Sequence, residues 1–144
     1  MSVNTWNRTE KRELDTLTKA IELSAHTIMC CENEGVFPKR HRQSIVSDLI
    51  KDSKDVVKLI NRANNLDLVN EYKSRVKYQN IALDKLEDLE MDLQISFFAL
   101  KPNITEKKLD NWLRLIDETR TLLKRWKKQN FEDYQKAIAN GNRD

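Results

Sequence analysis

The sequence predicts an all-α protein, with four helices arranged as an antiparallel, up-down-up-down bundle. The 144 residues include only two glycines and two prolines, which leaves few points at which a helix must break. Charged residues make up 34% of the chain, as in helices joined by brief connections. Apolar side chains recur at three- and four-residue steps in four separate segments, which is the spacing of amphipathic helices. Because the three connections are short, we expect each helix to run antiparallel to the next.

The first two predicted helices flank Pro38. Helix one covers about residues 9–34 and ends before Gly35, since glycine is common just past a helix end. Helix two covers about residues 41–64, after Pro38 has fixed the turn. One apolar stripe marks the expected buried face of each helix, formed in helix one by Leu14, Leu17, Ile21, Ala25 and Ile28 and in helix two by Ile45, Leu49, Val56, Ile60 and Ala63.

The third predicted helix, at about residues 68–100, has two apolar faces. Its main stripe runs from Tyr72 to Leu100, and a second row lies off that stripe. A helix with two apolar faces must bury both, so we expect the second row to pack inside the bundle or against another subunit. This candidate oligomer interface consists of Met91, Ile95 and Phe98.

The fourth predicted helix covers about residues 105–129, with Thr105 as its candidate N-cap. Its apolar stripe falters past the last of these residues, where apolar side chains are widely spaced among polar ones. We therefore expect the four-helix bundle to occupy residues 1–130. Residues 131–144 are expected to form a C-terminal extension or tail.

Charge is concentrated in clusters, although 26 Lys and Arg against 23 Asp and Glu leave a net charge of only +3. Cations in the first turn of helix two would oppose the helix macrodipole, at about 0.3–1 kcal/mol each, which indicates an anionic partner. Cations in a last turn of helix four would stabilise that helix by themselves, so they have a structural alternative. The candidate nucleic-acid-binding residues are Lys39, Arg40 and Arg42 in the first connection, Arg75 and Lys77 early in helix three, and Lys124, Arg125, Lys127 and Lys128 late in helix four.

Aromatic and acidic residues near these clusters each have two interpretations. Trp126 has cations on both sides and Tyr78 follows Lys77, so each could stack on a base or belong to the core. Tyr72 is near the same cations but lies on the apolar stripe of helix three, so we expect it in the core. Residues 84–92 hold five acids and one lysine, which form either a solvated helix face or a docking surface for a basic protein.

The sequence predicts no catalytic residue, metal site or cofactor site. A metal site at His26 would have Cys30 as its one local second ligand, which is too few. Neither glycine has a second glycine nearby, so no phosphate-binding loop is predicted. We expect a protein that is not an enzyme and whose two cysteines are reduced thiols.

The N-terminus has no apolar signal region, and no apolar run approaches the roughly 20 residues that cross a bilayer. We therefore expect a cytoplasmic protein without membrane contact.

Three segments resemble a family of bacterial four-helix-bundle proteins, over roughly residues 10–130. The segments are residues 37–42, 75–83 and 122–128, with the sequences FPKRHR, RVKYQNIAL and LLKRWKK. The family includes the intervening-sequence proteins encoded within 23S ribosomal RNA genes and Avd, the accessory variability determinant of diversity-generating retroelements. By position, the family's basic junction matches Lys39, Arg40 and Arg42, and its basic helix-four end matches Lys124, Arg125, Lys127 and Lys128.

The resemblance implies a ring-shaped homo-oligomer, with a pentamer expected. In the Avd branch, such a ring is a non-enzymatic accessory protein that offers a basic surface to RNA or cDNA and to a partner reverse transcriptase. The alternative, typical of the intervening-sequence relatives, is a structural or protein-interaction module without autonomous nucleic-acid binding. In that case the row of Met91, Ile95 and Phe98 carries the function through self-association. A weaker third possibility is an enzyme acting on nucleic acid, for which the sequence offers no nucleophile or metal ligands.

Overall fold

The computed structural model describes the backbone of residues 3–41 and 45–141, and the side chains of residues 11–40 and 45–141. All regular secondary structure of the described residues is helical, which confirms the all-α class with four helices. The helices are α1 (Val3–Glu32), α2 (Ser47–Asn64), α3 (Tyr72–Leu100) and α4 (Glu106–Gly141), and Lys39–His41 form a short 3₁₀ turn between α1 and α2. None of the helices described is both long enough and apolar enough to pass through a membrane.

Each helix packs mainly on two others. Helix α1 contacts α2 and α4, and α3 also contacts α2 and α4, so α1 and α3 lie across the bundle from one another. Along the α1–α4 contact, the Thr16 hydroxyl donates a hydrogen bond to the carbonyl of Leu122 at 3.4 Å. Further along, the indole nitrogen of Trp112 donates to the Thr27 hydroxyl at 3.1 Å. Residue numbers therefore rise along α1 as those of their partners fall along α4.

The core is centred on large side chains from all four helices and from the first connection. Trp112, Trp126 and Phe37 are fully buried. Each helix also buries at least one leucine completely, and α2 and α4 each bury an isoleucine. The rings of Phe37 and Trp112 meet edge to face, with centroids 6.5 Å apart. Full burial of one such side chain stabilises the fold by about 1.5–3 kcal/mol.

The buried face of α1 is not the one that its apolar stripe predicts. Leu14 is 63% exposed and Ile21 is 50% exposed, so that prediction is wrong for both residues. The hydrogen-bonding needs of neighbouring helices explain the difference. Thr27 accepts the indole N–H of Trp112, and the Ser24 hydroxyl lies 3.2 Å from the Ser53 hydroxyl of α2. The buried side chains of α1 are Thr16, Ala20, Leu23, Ser24, Thr27 and Cys31.

Helix α2 begins later than its predicted start at residue 41. Residues 39–41 form the 3₁₀ turn, and α2 starts at Ser47. The first turn of α2 contains Asp48, whose negative charge suits the positive end of the helix macrodipole. Lys39 and Arg40 therefore do not lie in the first turn of α2.

Helix α4 continues to Gly141, twelve residues past its predicted end at 129. Polar contacts stabilise this extension of α4, in which apolar side chains no longer recur at helical spacing. Asn130 and Asp133 are buried, and the Gln129 amide donates a hydrogen bond to the Asp133 carboxylate at 2.9 Å. The ring of Tyr134 stacks on that of Tyr72 of α3, with centroids 3.9 Å apart.

Helix α3 ends at a left-handed residue. Lys101 adopts a φ of 46°, and its N–H bonds the carbonyl of Phe97. Pro102 follows and cannot continue the helix.

The guanidinium of Arg75 joins three helices and the connection between α2 and α3. Arg75 is only 4% exposed. It donates hydrogen bonds to the Leu66 carbonyl at 2.7 Å and to the Asn130 side chain, and it forms an ion pair with Glu13. The same guanidinium lies 5.3 Å from the ring centroid of Trp126. Asn130 in turn donates to the Trp126 carbonyl at 3.0 Å, so Arg75 connects α3 to the turn of α4 that contains Trp126 and Asn130.

We predict that Arg75→Ala lowers the free energy of unfolding by about 2–4 kcal/mol, because it leaves the Asn130 oxygen and the Leu66 carbonyl without their donor. Urea denaturation at fixed protein concentration measures the change. The control is Lys77→Ala, an exposed cation of the same helix, which should change stability by less than about 0.5 kcal/mol. Equal stability of the two variants would contradict a structural role for Arg75.

Candidate nucleic-acid interface

The cations at residues 124–128 lie in the middle of α4. Lys128 precedes the end of the helix at Gly141 by 13 residues. The favourable effect of the macrodipole on cations is confined to the last turn, so it does not explain these residues. The expectation that they occupy the last turn of the helix is wrong. Their structural alternative, stabilisation of the helix end, is thereby removed.

The structure divides the four cations of this segment between two sides of α4. Lys124, Lys127 and Lys128 lie beside α3, whereas Arg125 lies beside α1, where its carbonyl accepts a hydrogen bond from Arg12 at 3.3 Å. The three lysines line a cavity of about 400 Å³ that we call the basic groove. The groove is lined by Tyr72, Leu83, Lys124, Lys127, Lys128 and Phe131.

The lysines of the basic groove, Lys124, Lys127 and Lys128, form no ion pair within the described part of the chain. Arg120, one turn before Lys124, differs because it pairs with Glu90 of α3 and with Asp117 at 2.7 Å. Three ammonium groups on one side of a helix repel one another, so a polyanion that contacts them gains attraction and relieves that repulsion.

The α3–α4 contact changes sign along its length. Next to the basic groove, a cavity of about 280 Å³ is lined by Asp84, Glu87 and Glu90 of the acidic stretch. Arg120 and Lys124 line the same cavity from α4. An anionic ligand is therefore attracted to one end of the contact and repelled from the other.

The cations of the first connection have a different setting from the one that the sequence predicts. Lys39 lies 3.4 Å from the carboxylate of Glu34, and both side chains are exposed. Arg40 is also exposed, and Arg42 lies outside the described residues. Because Lys39 and Arg40 lie in the 3₁₀ turn and α2 starts at Ser47, the macrodipole cost that indicated an anionic partner does not apply to them.

The two candidate cations of α3 do not form a pair. Arg75 is buried among Glu13, Leu66 and Asn130, so its guanidinium cannot contact a ligand at the surface. We therefore exclude Arg75 from the interface, which corrects its assignment as a binding residue. Lys77 is exposed but does not line the basic groove.

Phe131 is an exposed aromatic residue of the basic groove that was not among the candidates predicted from the sequence. Trp126 is fully buried, and Tyr78 is half-buried against the core. Phe131 is 48% exposed and lines the basic groove. Its position three residues after Lys128 and four after Lys127 places all three on one side of a helix, which is a signal that the sequence contains. This spacing indicates a shared helix face only if α4 continues past residue 129.

Two rows of apolar side chains are exposed on helices that lie across the bundle from one another. Phe98 of α3 is 90% exposed, and Met91 and Ile95 are about half exposed. The interior of a single chain therefore does not bury this row, which excludes one of its two expected positions. The second row is on α1 and consists of Leu14, Ile21 and Met29.

One acid of the acidic stretch pairs with a carboxyl group of α2. Burial and a hydrogen bond with Asp92 raise the pKa of Asp52 to about 7, and Asp88 adds to the effect. Lys85 opposes it from 3.8 Å and also lies 3.9 Å from Asp55. At neutral pH Asp52 is therefore only partly ionised, and its hydrogen bond with Asp92 joins α2 to α3. Asp92 differs from the solvated acids of the same stretch, such as Asp84.

We predict that Asp52→Asn stabilises the protein at pH 8, by about 1–3 kcal/mol. The folded protein holds a proton on Asp52 that the unfolded chain releases above pH about 4, so this group's contribution to stability falls as pH rises from about 4 to 7. Asparagine cannot ionise, so the advantage of the variant should vanish near pH 4. Urea unfolding at both pH values tests this, with the exposed Asp84→Asn as control. A variant less stable than the wild type at pH 8 would contradict the raised pKa of Asp52.

The histidine and cysteines of α1 are part of the packing. The imidazole of His26 lies 3.5 Å from the Cys30 sulfur and meets the Trp112 ring edge to face. Burial raises the pKa of Cys31 to about 12, which keeps it an unreactive thiol. In the described part of the chain, no group of three or more His, Cys, Asp and Glu side chains could hold a metal ion.

No protein-family model, curated protein or solved structure matches this chain. Function must therefore be inferred from the basic groove and from the exposed apolar rows.

Proposed function

We propose that this chain is a non-enzymatic accessory protein that binds nucleic acid, RNA or cDNA, through the lysines of the basic groove. The observation that supports this most strongly is that Lys124, Lys127 and Lys128 occupy the middle of α4, unpaired within the described residues and without benefit to the helix end. Together with the resemblance to the Avd branch, this supports a role beside a reverse transcriptase, as the subunit that holds the polynucleotide.

The same proposal includes an antiparallel bundle that assembles into a ring-shaped homo-oligomer, a pentamer in the Avd branch. The opposed order of contacts between α1 and α4 supports the antiparallel arrangement. The exposed apolar rows support the ring. The two rows lie on opposite sides of the bundle, so α1 of one copy can contact α3 of another copy only in a head-to-tail arrangement. Such contacts close into a ring when the rotation between successive copies permits.

Assembly would strengthen binding without any new contact. Each copy in a ring carries one basic groove, and a polynucleotide that occupies one groove is held at high effective concentration near the next. Three lysines per copy are a small electrostatic site, since each phosphate contact to a single strand contributes a salt slope of only about 0.7. The ring thus explains how a chain of net charge +3 can bind a polyanion.

The second candidate function is a structural or protein-interaction module without autonomous nucleic-acid binding. The exposed rows on α1 and α3 favour it, because they predict self-association whether or not nucleic acid binds. The exposed acids beside the basic groove would then dock a basic partner protein. The two candidates differ in one observable property, which is the affinity of the purified oligomer for RNA.

We predict that the protein binds a single-stranded RNA with an affinity that falls steeply with salt, and that Lys127→Ala with Lys128→Ala lowers the salt slope by about 1.4 per groove. Fluorescence anisotropy between 50 and 200 mM salt, roughly the range over which such contacts weaken, measures the slope. The control is Lys51→Ala with Lys54→Ala, which removes the same charge from exposed positions of α2. Absent or salt-independent binding by the wild type would favour the interaction module.

We predict that Phe98→Asp with Met91→Asp, and separately Ile21→Asp, each reduce the protein to monomers in multi-angle light scattering, because each places charge in an apolar contact. Asn80→Asp, at an exposed polar position of α3, should keep the wild-type mass.

A mixture of the two interface variants discriminates between modes of contact. In a head-to-tail interface each variant retains one intact surface, so an equimolar mixture should form a one-to-one dimer. A monomeric mixture would contradict head-to-tail pairing of the α1 and α3 rows. Wild-type mass in the α3 variant would exclude that row from the interface altogether.

A further inference from the structure

We propose that the basic groove selects single-stranded over double-stranded polynucleotide, by stacking an unpaired base on the ring of Phe131. This inference rests on the proposed function and specifies the ligand of the same site.

The side of α4 that faces the groove combines charge and an exposed ring. Lys124, Lys127 and Lys128 precede Phe131 by seven, four and three residues, so they lie on the same side of the helix within about two turns. Phe131 lines the wall of the groove and is 48% exposed, so part of its side chain is covered and part is open to a ligand. Aromatic platforms beside backbone-binding cations are the common arrangement of single-strand-binding sites.

The opposite wall of the groove supplies a second ring. Tyr72 of α3 lines the groove, and one of its faces is covered by Tyr134, with the two rings within 5° of parallel. This stack fixes the orientation of Tyr72. Burial and the neighbouring Tyr134 raise the pKa of Tyr72, so its hydroxyl stays neutral and can donate a hydrogen bond to a phosphate or a base.

A duplex does not fit this groove. The cavity, of about 400 Å³, lies between two packed helices and has Phe131 on its wall, so a base must leave its stack to contact that ring. The base faces of a duplex are also covered by their neighbours in the stack. A duplex could reach the lysines through its phosphates but could not place a base on Phe131, while a single strand can do both.

The charges along the α3–α4 contact disfavour an acidic peptide helix as the occupant. An acidic helix lying along the contact would soon meet Asp84, Glu87 and Glu90. A single strand is flexible enough to turn across α4 past Lys128, which is exposed, and so to avoid the acids.

The test compares two substitutions of one residue in the full-length protein. Phe131→Leu keeps an apolar side chain but removes the ring, whereas Phe131→Tyr keeps the ring. Anisotropy with labelled oligo(U), oligo(dT) and an RNA duplex of equal length gives the three affinities, and Ile138→Ala, an exposed apolar truncation on the same helix, is the control. We expect Phe131→Leu to weaken oligo(U) binding about 5- to 150-fold with an unchanged salt slope. Phe131→Tyr and Ile138→Ala should bind as the wild type does.

Each other outcome has a distinct meaning. Equal affinity of the wild type for single strand and duplex, with no effect of Phe131→Leu, overturns the stacking inference while groove binding through phosphates stands. Failure of the wild type to bind any of the three ligands removes the proposed function itself. Stronger competition by poly-glutamate than by oligo(U) overturns the inference in favour of an acidic peptide.

Discussion

The buried guanidinium of Arg75 is the contact on which the proposed site depends. It bonds Asn130 of α4, the Leu66 carbonyl and Glu13 of α1, and it lies over the Trp126 ring. These contacts stabilise α4 at the point where its apolar stripe ends. Because the helix continues, the lysines at residues 124–128 lie in its interior, and Phe131 joins them on the side that faces α3. A residue inside the bundle therefore positions the charges on its surface.

A second constraint acts on α1 and determines which surface is left for assembly. Thr27 faces inward, where it accepts the indole N–H of Trp112, and Ser24 faces inward beside the Ser53 hydroxyl. A helix of this length cannot bury both its hydroxyl side and its apolar side against α2 and α4, so Leu14 and Ile21 stay outside. The exposed apolar surface of α1 is thus a consequence of how the core satisfies its hydrogen bonds, and it supplies the partner for the row on α3 that the proposed ring requires.

The helices could be predicted from the sequence, whereas the site could not be assembled from it. Apolar spacing and scarce helix breakers suffice for four helices and for the ends of α2 and α3, since these are local properties. The buried face of α1 depends on Trp112, 85 residues from Thr27, and the extension of α4 depends on Arg75, 55 residues from Asn130. By local hydrophobicity, Leu14 is a better candidate for burial than Thr27. Neither the Thr27–Trp112 contact nor the Arg75–Asn130 contact can be recognised from local hydrophobicity. The cation clusters were found, but only the structure shows that Arg75 is buried and Arg125 lies on the other side of α4.

The most direct measurement of the central claim is a crosslinking map. Ultraviolet irradiation of the full-length protein with oligo(U), followed by mass spectrometry of the conjugated peptides, reports which side chains touch bases. We expect conjugates at Phe131 and Tyr72, within peptides that contain the lysines of the basic groove. Conjugates confined to residues 37–42, with none on α4, would contradict the claim that α4 presents the nucleic-acid interface.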